Sequence, residues 1–253
     1  MKPMVIAAPN GARRLKADHP NLPLTIPEIA AEAERCQRAG AAILHLHVRD
    51  SQGAHSLDPG LYREAMDEVS RVAPSLLVQI TTEAAGRFDL SDQIACVQAL
   101  RPKAVSVAWR EFAPEDNADA RRFYAWAAET GLHIQHILYS PDEVARFTAY
   151  GLENQSVLLV LGTYAGTHAN PGDLPAYLAN LHGVHDFTTC AFGPREHAVS
   201  LAAIAAGGHA RVGFENNLLL QDGSHAETTA ALVAQFDMPL ARPDDARRFW
   251  GIS

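Results

Sequence analysis

Short apolar segments alternate with amphipathic segments along the whole chain, and this alternation is the feature that most restricts the possible fold. The apolar segments are rich in β-branched residues and too short for helices, so they are predicted to be strands. The predicted strands are residues 4–9, 41–48, 76–82, 104–109, 133–139, 156–164, 186–192 and 209–216. Between them, apolar residues recur at helical spacing. In the first such segment the repeat begins at Ile26, and Gly40 ends the predicted helix.

Eight strands, each followed by a helix, predict an α/β fold of the (β/α)8 TIM barrel type. The alternative is a doubly wound open sheet, which usually has fewer strands and a glycine-rich phosphate-binding turn after the first strand. Here that turn reads APNGARR and contains no GxGxxG motif. The 253 residues show no linker and no shift in composition, so a single barrel domain spanning 1–253 is predicted. The tail RPDDARRFWGIS is predicted to form a C-terminal capping helix that begins at Pro243.

Charge and cysteine content restrict the class of partner. A formal net charge of −8 argues against binding to nucleic acid, which needs clustered lysine and arginine, although local arginines can still bind small anions. The three cysteines form no CxxC pair, as is typical of reduced thiols in the cytoplasm. No apolar stretch is long enough for a signal peptide or a membrane span. A cytoplasmic protein that binds neither nucleic acid nor membrane is therefore predicted, and we also expect a homo-oligomer.

A pair of histidines lies near the carboxyl end of the second predicted strand. His45 and His47 are two residues apart, so both side chains leave the strand on the same face and can reach one ion. An isolated pair of this kind is equally well explained as hydrogen-bonded core histidines. The position favours a metal, because barrel active sites are built at the carboxyl ends of strands and buried imidazoles need polar partners.

The eighth predicted strand supplies a third ligand. Arg211 and Glu215 share one face of HARVGFEN, and closure of the barrel places the second and eighth strands on either side of the first. Glu215 has two interpretations, as a salt-bridge partner of Arg211 or as a metal ligand. Two histidines and a glutamate with open positions are the ligand set of a catalytic zinc site, while nickel, iron and manganese remain alternatives.

Polar residues also follow the first and third strands. Arg13 and Arg14 lie in the loop after the first strand, where they are predicted to bind a carboxylate or phosphate or to face solvent. Thr81 and Thr82 end the third strand and are expected to donate hydrogen bonds to a bound oxygen or to cap a helix.

Several of these segments together resemble a known family. AP-G after the first strand, AGAAILHLHVRD, QITT, GGHARVGFENN and the closing PDDARRFWG resemble the β-keto acid cleavage enzymes, the family of 3-keto-5-aminohexanoate cleavage enzyme-like proteins. The combination of HLHVRD with GGHxRVGxE is specific, whereas either segment alone would not be. The resemblance extends over nearly the whole chain.

The resemblance implies a function and roles for particular residues. It implies that His45, His47 and Glu215 bind zinc, and that the protein converts a β-keto acid and acetyl-CoA into acetoacetate and a new acyl-CoA. Arg211 matches a family arginine that works with an acidic base. Thr81 falls where the family has a hydroxyl that contacts the substrate.

The chain departs from the family pattern at the proposed base. The family commonly has Glu-Asp-Asn on the eighth strand, with the aspartate as general base, and this chain has Asn216 at that place. An amide cannot accept a proton at neutral pH. The third, fourth and fifth strands also depart from the family pattern, and there the chain has Glu83, Glu111 and His136. Each of these three residues is a candidate for a replacement base or a substrate contact, and the sequence does not favour one over the others.

Arg13 bears on the charge of the substrate. The family member that acts on an amino-substituted keto acid has an acidic residue in the corresponding loop. An arginine there predicts a β-keto acid with a second carboxylate or a neutral polar tail. Two other functions stay open from the sequence: a metal-dependent hydrolase or retro-aldol lyase in the same site, and a non-catalytic relative that binds a metabolite.

Overall fold

The part of the chain that the structure describes, residues 1–152 and 156–252 of a computed structural model, forms a closed barrel of eight parallel strands. Each strand pairs with its neighbours in sequence, and the last strand pairs with the first. The strands are β1 (Val5–Ala7), β2 (Ile43–Leu46), β3 (Leu77–Thr81), β4 (Ala104–Ala108), β5 (His133–Leu138), β6 (Ser156–Leu161), β7 (Asp186–Ala191) and β8 (His209–Val212). The predicted TIM barrel is confirmed.

Helices follow the strands and cover the outside of the barrel. They are α1 (Ile26–Ala39), α2 (Pro59–Val72), α3 (Leu90–Leu100), the single turn α4 (Trp109–Phe112), α5 (Ala118–Thr130), α6 (Pro141–Tyr150), α7 (Leu174–Leu178), α8 (Glu196–Ala205), α9 (Thr229–Val233) and α10 (Pro243–Phe249). A 3-10 turn at Pro171–Asp173 precedes α7. The predicted helices after β6 and β8 are only five residues long.

The sequence around α1 shows how local signals fix a helix. The Thr25 hydroxyl accepts a hydrogen bond from the Glu28 amide, and the Glu28 carboxylate accepts one from the Thr25 amide, which forms a capping box. Gly40 ends the helix with a φ of +109°, a conformation that is costly for a residue with a side chain. The apolar face of α1, which includes Ile29 and Ala33, is buried against the barrel.

The strands are shorter than predicted at the end of the barrel where their carboxyl ends meet. After β2 the chain leaves the barrel and forms a two-stranded antiparallel ribbon, in which Val48–Arg49 pairs with His55–Ser56. After β8 the chain turns at Gly213, whose φ is +150° and where a Cβ atom would lie 2.2 Å from the Ala8 carbonyl oxygen. His47 and Glu215 therefore lie just beyond their strands rather than within them.

Apolar residues fill the opposite end of the barrel, and α10 closes it. Ile6, Ile43 and Leu77 form one buried cluster with Ala246 and Trp250 of the C-terminal segment. The Trp250 indole also donates a hydrogen bond of 3.0 Å to the buried Asp186 carboxylate. The C-terminal helix begins at Pro243, as predicted.

No helix among residues 1–152 and 156–252 combines the length and apolar character needed to cross a membrane. Cys36, Cys96 and Cys190 are free and buried.

Candidate metal and substrate site

A small cavity lies inside the barrel at the carboxyl ends of the strands. Its volume of about 30 Å³ is enough for a water molecule but not for a keto acid unless side chains move. Side chains from several strands and from the loops that follow them line it. Those that bear on its chemistry are His45, Thr81, Glu83, Tyr139, Tyr164, Arg211, Glu215 and Asn216.

A chain of side-chain hydrogen bonds inside the barrel fixes the His45 ring. Gln79 Oε1 lies 3.0 Å from His45 Nδ1, so Nδ1 carries the proton and donates it. The Gln79 amide donates to Gln135 Oε1 at 3.2 Å, and the Gln135 amide donates to the Thr188 hydroxyl at 3.3 Å. Burial, together with the nearby Arg211 charge, lowers the pKa of His45 to about 3. The ring is therefore neutral, and its Nε2 lone pair is available to a ligand.

His47 and Glu215 converge on the same point as His45. His45 Nε2 lies 3.1 Å from His47 Nε2, and Glu215 Oε2 lies 3.5 Å and 3.6 Å from these two nitrogens. Ligand atoms that share a tetrahedral zinc at ~2.0–2.1 Å must be roughly 3.3 Å apart. All three side chains are buried, and Glu215 Oε2 has no hydrogen-bond donor within the described residues. The three groups therefore fit one divalent ion.

The two carboxylate oxygens of Glu215 face different partners, one for each interpretation of the sequence. Its Oε1 accepts a hydrogen bond of 3.1 Å from Arg211 Nη2, while its Oε2 faces the two histidines. Burial acts to raise the pKa of Glu215, but the Arg211 guanidinium and then the two histidine rings outweigh it and hold that pKa well below its usual range. An ionised carboxylate with one free oxygen is suited to a cation.

Arg211 and Asn216 present donors to the cavity. Arg211 Nη2 also donates to Asn216 Oδ1 at 3.3 Å and contacts Cys190 Sγ at 3.4 Å. In the part of the chain described, Arg211 Nε and Nη1 and Asn216 Nδ2 are buried without an acceptor. Unpaired donors of this kind are costly unless a bound group satisfies them. The arrangement is suited to the anionic oxygens of a carboxylate or an enolate.

The end of β3 contributes Thr81 and Glu83 to the cavity, but not Thr82. The Thr81 hydroxyl accepts a hydrogen bond from the Glu83 amide at 3.2 Å, which leaves its proton free to be donated. Thr82 is fully buried and donates to the Ser106 carbonyl at 3.3 Å. Thr82 therefore ties β3 to β4, and the expectation that it contacts a substrate does not agree with this placement.

Glu111 and His136 lie outside the cavity. Glu111 in α4 accepts a hydrogen bond of 3.2 Å from the Ala84 amide, and burial raises its pKa. His136 points away from the barrel interior, with its Nδ1 3.1 Å from the Ser156 carbonyl oxygen and its ring stacked on Tyr124 at 5.5 Å. The structure thus corrects the expectation that His136 faces the site. Glu111 supports the loop after β3 instead.

The two arginines after β1 lie at the mouth of the cavity. Arg13 has a side chain that is 57% exposed, with its Nε 3.7 Å from Glu83 Oε1 and its guanidinium over the Tyr164 ring at 4.8 Å. Arg14 donates a hydrogen bond of 3.3 Å to the Asn216 carbonyl oxygen. Arg14 therefore helps to hold the residues that follow β8, and Arg13 stands near the rim.

The residues that support the proposed ligands lie outside the motifs that the sequence makes visible. Gln79 is a polar residue two positions before Thr81, and that spacing placed it on the inward face of β3. Arg49 is buried and binds the Gly11 carbonyl oxygen through Nε at 3.1 Å. Tyr164 lies in the loop after β6, within the segment predicted as strand. For Arg49 and Tyr164 the sequence carried no signal.

Comparison with known proteins adds independent findings. A family model described as "beta-keto acid cleavage enzyme" matches residues 2–252. The chain is 27% identical to the 3-keto-5-aminohexanoate cleavage enzyme of Acetoanaerobium sticklandii, over 100% of this chain and 99% of the relative. It is 24% identical to the 3-oxoadipate:acetyl-CoA acetyltransferase of Cupriavidus necator, over 99% of this chain and 95% of the relative.

Among solved structures, the apo structure of ObcA is similar with a TM-score of 0.74. The two sequences are 15% identical, and the match covers 92% of this chain and 66% of the ObcA chain. At that identity the likeness supports the barrel fold alone.

Proposed function

The chain belongs to the β-keto acid cleavage enzyme family, and from this membership we propose that it is a divalent-metal-dependent acyltransferase that cleaves a β-keto acid. In the proposed reaction a β-keto acid and acetyl-CoA give acetoacetate and a new acyl-CoA. The supporting observation is the convergence of His45, His47 and Glu215 beside a cavity that the unpaired donors of Arg211 also line.

We propose that His45 Nε2, His47 Nε2 and Glu215 Oε2 hold the metal ion, with zinc as the expected ion. When bound, such an ion supplies a Lewis acid that stabilises negative charge on a keto oxygen. The Gln79 hydrogen bond keeps the proton of His45 on Nδ1, so Nε2 presents a lone pair towards His47 and Glu215. Nickel, iron and manganese also bind imidazole and carboxylate and stay alternatives.

The other cavity residues bind and orient the keto acid in this proposal. Arg211 offers Nε and Nη1 to the anionic oxygens of the substrate. The Thr81 hydroxyl proton is free to bind a second oxygen, since Thr81 Oγ1 already accepts from the Glu83 amide. The cavity is buried, so these bonds are shielded from water and contribute roughly 1.5–3 kcal/mol each where a charge takes part.

The function is tested by incubating the purified protein with acetyl-CoA and a panel of β-keto acids. Formation of an acyl-CoA together with acetoacetate, detected by mass spectrometry, is the expected result. Turnover of a keto acid without acetyl-CoA would instead indicate a hydrolase or retro-aldol lyase. Thermal stabilisation by a keto acid with no turnover would indicate a non-catalytic binding protein.

The metal is tested separately from turnover. Purified protein is expected to hold close to one divalent ion per chain, and His47→Ala is expected to lose most of it, because two remaining ligands hold a divalent ion poorly. His182→Ala is the matched control, since His182 is an exposed histidine outside the cavity. Unchanged metal content in His47→Ala would contradict the assignment of the ligands.

The charge of the substrate tail stays a prediction from Arg13. Its guanidinium stands at the rim of the cavity, where a second carboxylate of the substrate could compete with Glu83 for it. Arg13→Glu is expected to shift preference towards keto acids with a neutral or cationic tail. A change only in the KM for acetyl-CoA would indicate contact with CoA phosphates. The cytoplasmic location and the homo-oligomeric state stay predictions as well.

A further inference from the structure

The orientation of the Asn216 amide defines what that residue can do. Its Oδ1 accepts a hydrogen bond from Arg211 Nη2 at 3.3 Å, so its Nδ2 group is directed elsewhere. Nδ2 is buried and has no acceptor among the described residues. Asn216 lines the cavity, where it can donate a hydrogen bond but cannot accept a proton. The group that accepts the proton must therefore be another residue.

Most other polar groups of the cavity are unsuited to accept a proton. His45 Nδ1 is already bonded to Gln79, and its Nε2 converges with His47 and Glu215. Burial raises the pKa of the Tyr139 hydroxyl, and a phenol with an ordinary pKa of about 10 is already protonated at neutral pH, so neither Tyr139 nor Tyr164 is a base. Apart from Glu215, the carboxylate that lines the cavity in the described residues is Glu83.

The backbone of Glu83 is held on both sides. Its amide donates to the Thr81 hydroxyl at 3.2 Å, and its carbonyl oxygen lies 3.0 Å from His55 Nε2. The next amide, that of Ala84, donates to Glu111 at 3.2 Å. A side chain on such a fixed peptide enters the cavity at a defined place. In the barrel, β1 and β2 separate β3 from β8, so Glu83 and Asn216 enter from different sides.

The Glu83 carboxylate has a charged neighbour and keeps room for a further hydrogen-bond partner. Its side chain is 16% exposed, and Arg13 Nε stands 3.7 Å from Oε1, which is longer than a hydrogen bond. The Arg13 guanidinium therefore attracts the Glu83 carboxylate without forming a hydrogen bond to it.

Resting on the function proposed above, we infer that Glu83 is the general base of the reaction and that Asn216 donates a hydrogen bond to an anionic oxygen of the substrate. Glu83 removes a proton from C2 of the keto acid. The C2–H bond breaks, its electron pair is delocalised onto the keto oxygen, and the proton makes Glu83 a carboxylic acid. The base thus lies just after β3 in this chain rather than after β8.

The proton returns to carbon at the end of the reaction. The enolate carbon bonds to the acetyl carbonyl carbon of acetyl-CoA, and CoA thiolate leaves. The thiolate then adds to the original keto carbon, and the bond between that carbon and C2 breaks to give the acyl-CoA and an acetoacetate enolate. Glu83 returns its proton to this enolate. Acetoacetate is therefore a substrate for exchange of the C2 proton, whatever the natural keto acid is.

The inference is tested by exchange of the C2 protons of acetoacetate in D2O, followed by NMR on the metal-loaded enzyme. Glu83→Gln is expected to slow enzymatic exchange by ~10²–10⁴-fold, which is the usual contribution of a general base. Glu83→Asp keeps the carboxylate but sets it back by one methylene group. Its exchange rate is expected to lie between those of the wild type and Glu83→Gln. Glu64→Gln is the matched control and should exchange like the wild type, because Glu64 is exposed on α2 and does not line the cavity.

A second variant tests whether a carboxylate at position 216 can take over the role of the one at position 83. Adding Asn216→Asp to Glu83→Gln places a carboxylate beside Arg211 and is expected to restore part of the lost exchange. Metal content and circular dichroism must match the wild type in every variant. Acetoacetate has no charged tail, so a loss of exchange cannot come from altered recognition of a tail.

The outcomes separate this inference from the proposed function. Exchange at the wild-type rate in folded, metal-loaded Glu83→Gln overturns the role of Glu83 and leaves the proposed function standing. A wild-type enzyme that neither exchanges the C2 protons of acetoacetate nor forms acyl-CoA contradicts the proposed function, and the role of Glu83 fails with it.

Discussion

Single residues determine the protonation state of the proposed metal ligands. Gln79 Oε1 accepts the Nδ1 proton of His45, which directs the other nitrogen towards His47 and Glu215. Partners of this kind orient a ligand ring and strengthen its basicity. Gln79 in turn depends on Gln135, so the hydrogen bonds form one continuous chain.

Replacing Gln79 with leucine should weaken metal binding without removing a ligand. The His45 ring would lose the acceptor that fixes its tautomer, and we expect zinc affinity to fall by ~10–100-fold, as is typical when a supporting partner is lost. Competition with a chromogenic chelator measures the dissociation constant. Gln135→Leu removes a contact one step further from the ring and should have a smaller effect. Equal zinc affinity in Gln79→Leu and wild type would contradict this role.

At the scale of residues, the sequence predicted the types of residue that line the site. It was less reliable for which face of a strand a given residue lies on. His45, Arg211 and Thr81 come together because period-2 spacing turns them inwards and barrel closure brings their strands together, while His47 and Glu215 reach the same point from the turns that follow β2 and β8.

His136 was misplaced because β5 reads HIQHIL, in which both alternations mix polar and apolar residues. The pattern therefore does not determine which residues face inwards. The structure shows that Gln135 does, since its amide reaches Gln79 and Thr188 inside the barrel.

At the scale of elements, the turns after β1 and β8 hold each other in place. The Glu215 amide donates to the Ala8 carbonyl at 3.1 Å, and Gly11 packs directly against the Glu215 side chain. Glu196 at the start of α8 accepts hydrogen bonds from the Gly213 amide at 3.2 Å and from the Asn217 side chain at 3.3 Å. Predicted strand ends ran too far here, because these turns continue the apolar pattern while a positive φ at Gly213 stops the pairing.

The contact between Gly11 and Glu215 predicts the effect of a single methyl group. A Cβ atom at Gly11 would lie 2.5 Å from Glu215 Cγ, so Gly11→Ala must displace the glutamate. We expect metal affinity to fall by at least ~10-fold, since a ligand must lie close to its ideal distance to bind. Titration calorimetry with zinc measures the change.

Gly53→Ala separates this contact from backbone strain. Both glycines have positive φ, at +59° for Gly11 and +76° for Gly53, but a Cβ at Gly53 would meet nothing within 4 Å. Gly53→Ala should therefore cost about 1–2 kcal/mol of folding free energy through its left-handed backbone alone and keep the zinc affinity. If both variants bound zinc equally well, the close approach to Glu215 would have no functional weight.

At the scale of the whole molecule, one end of the barrel carries the proposed site and the other end is closed by packing. The carboxyl ends of the strands carry the cavity, and the other end is closed by the C-terminal segment through Trp250. The alternation of strands and helices predicted this architecture, because eight strands that are each followed by a helix are typical of a closed barrel. The polar cluster of the buried Asp186 and His209 and the half-buried His133 around Trp250 could not be predicted, since it joins residues far apart in sequence.

This cluster makes folding stability depend on pH. Burial raises the pKa of Asp186 to about 6, although the nearby Ser156 hydroxyl and the Trp250 hydrogen bond act to lower it. Because the folded state holds this proton more tightly than the unfolded state, the contribution of Asp186 is most favourable below its unfolded pKa and is lost as pH rises through about 6. Burial lowers the pKa of His133 to about 3 and of His209 to about 4, so both rings are already neutral at pH 5.

Trp250→Phe removes the indole donor to Asp186 and should therefore destabilise the fold more at pH 7 than at pH 5. At pH 5 the carboxyl is mostly protonated, and the variant loses packing and a bond to a neutral group. At pH 7 it also leaves a buried charge without its donor, which adds on the order of 1 kcal/mol.

Urea denaturation at both pH values measures the difference, with a chelator present so that metal binding does not contribute. In an Asp186→Asn background the cost of Trp250→Phe should be equal at the two pH values, because no carboxyl titrates there. A loss that is independent of pH in both backgrounds would mean that Trp250 stabilises the barrel by packing alone.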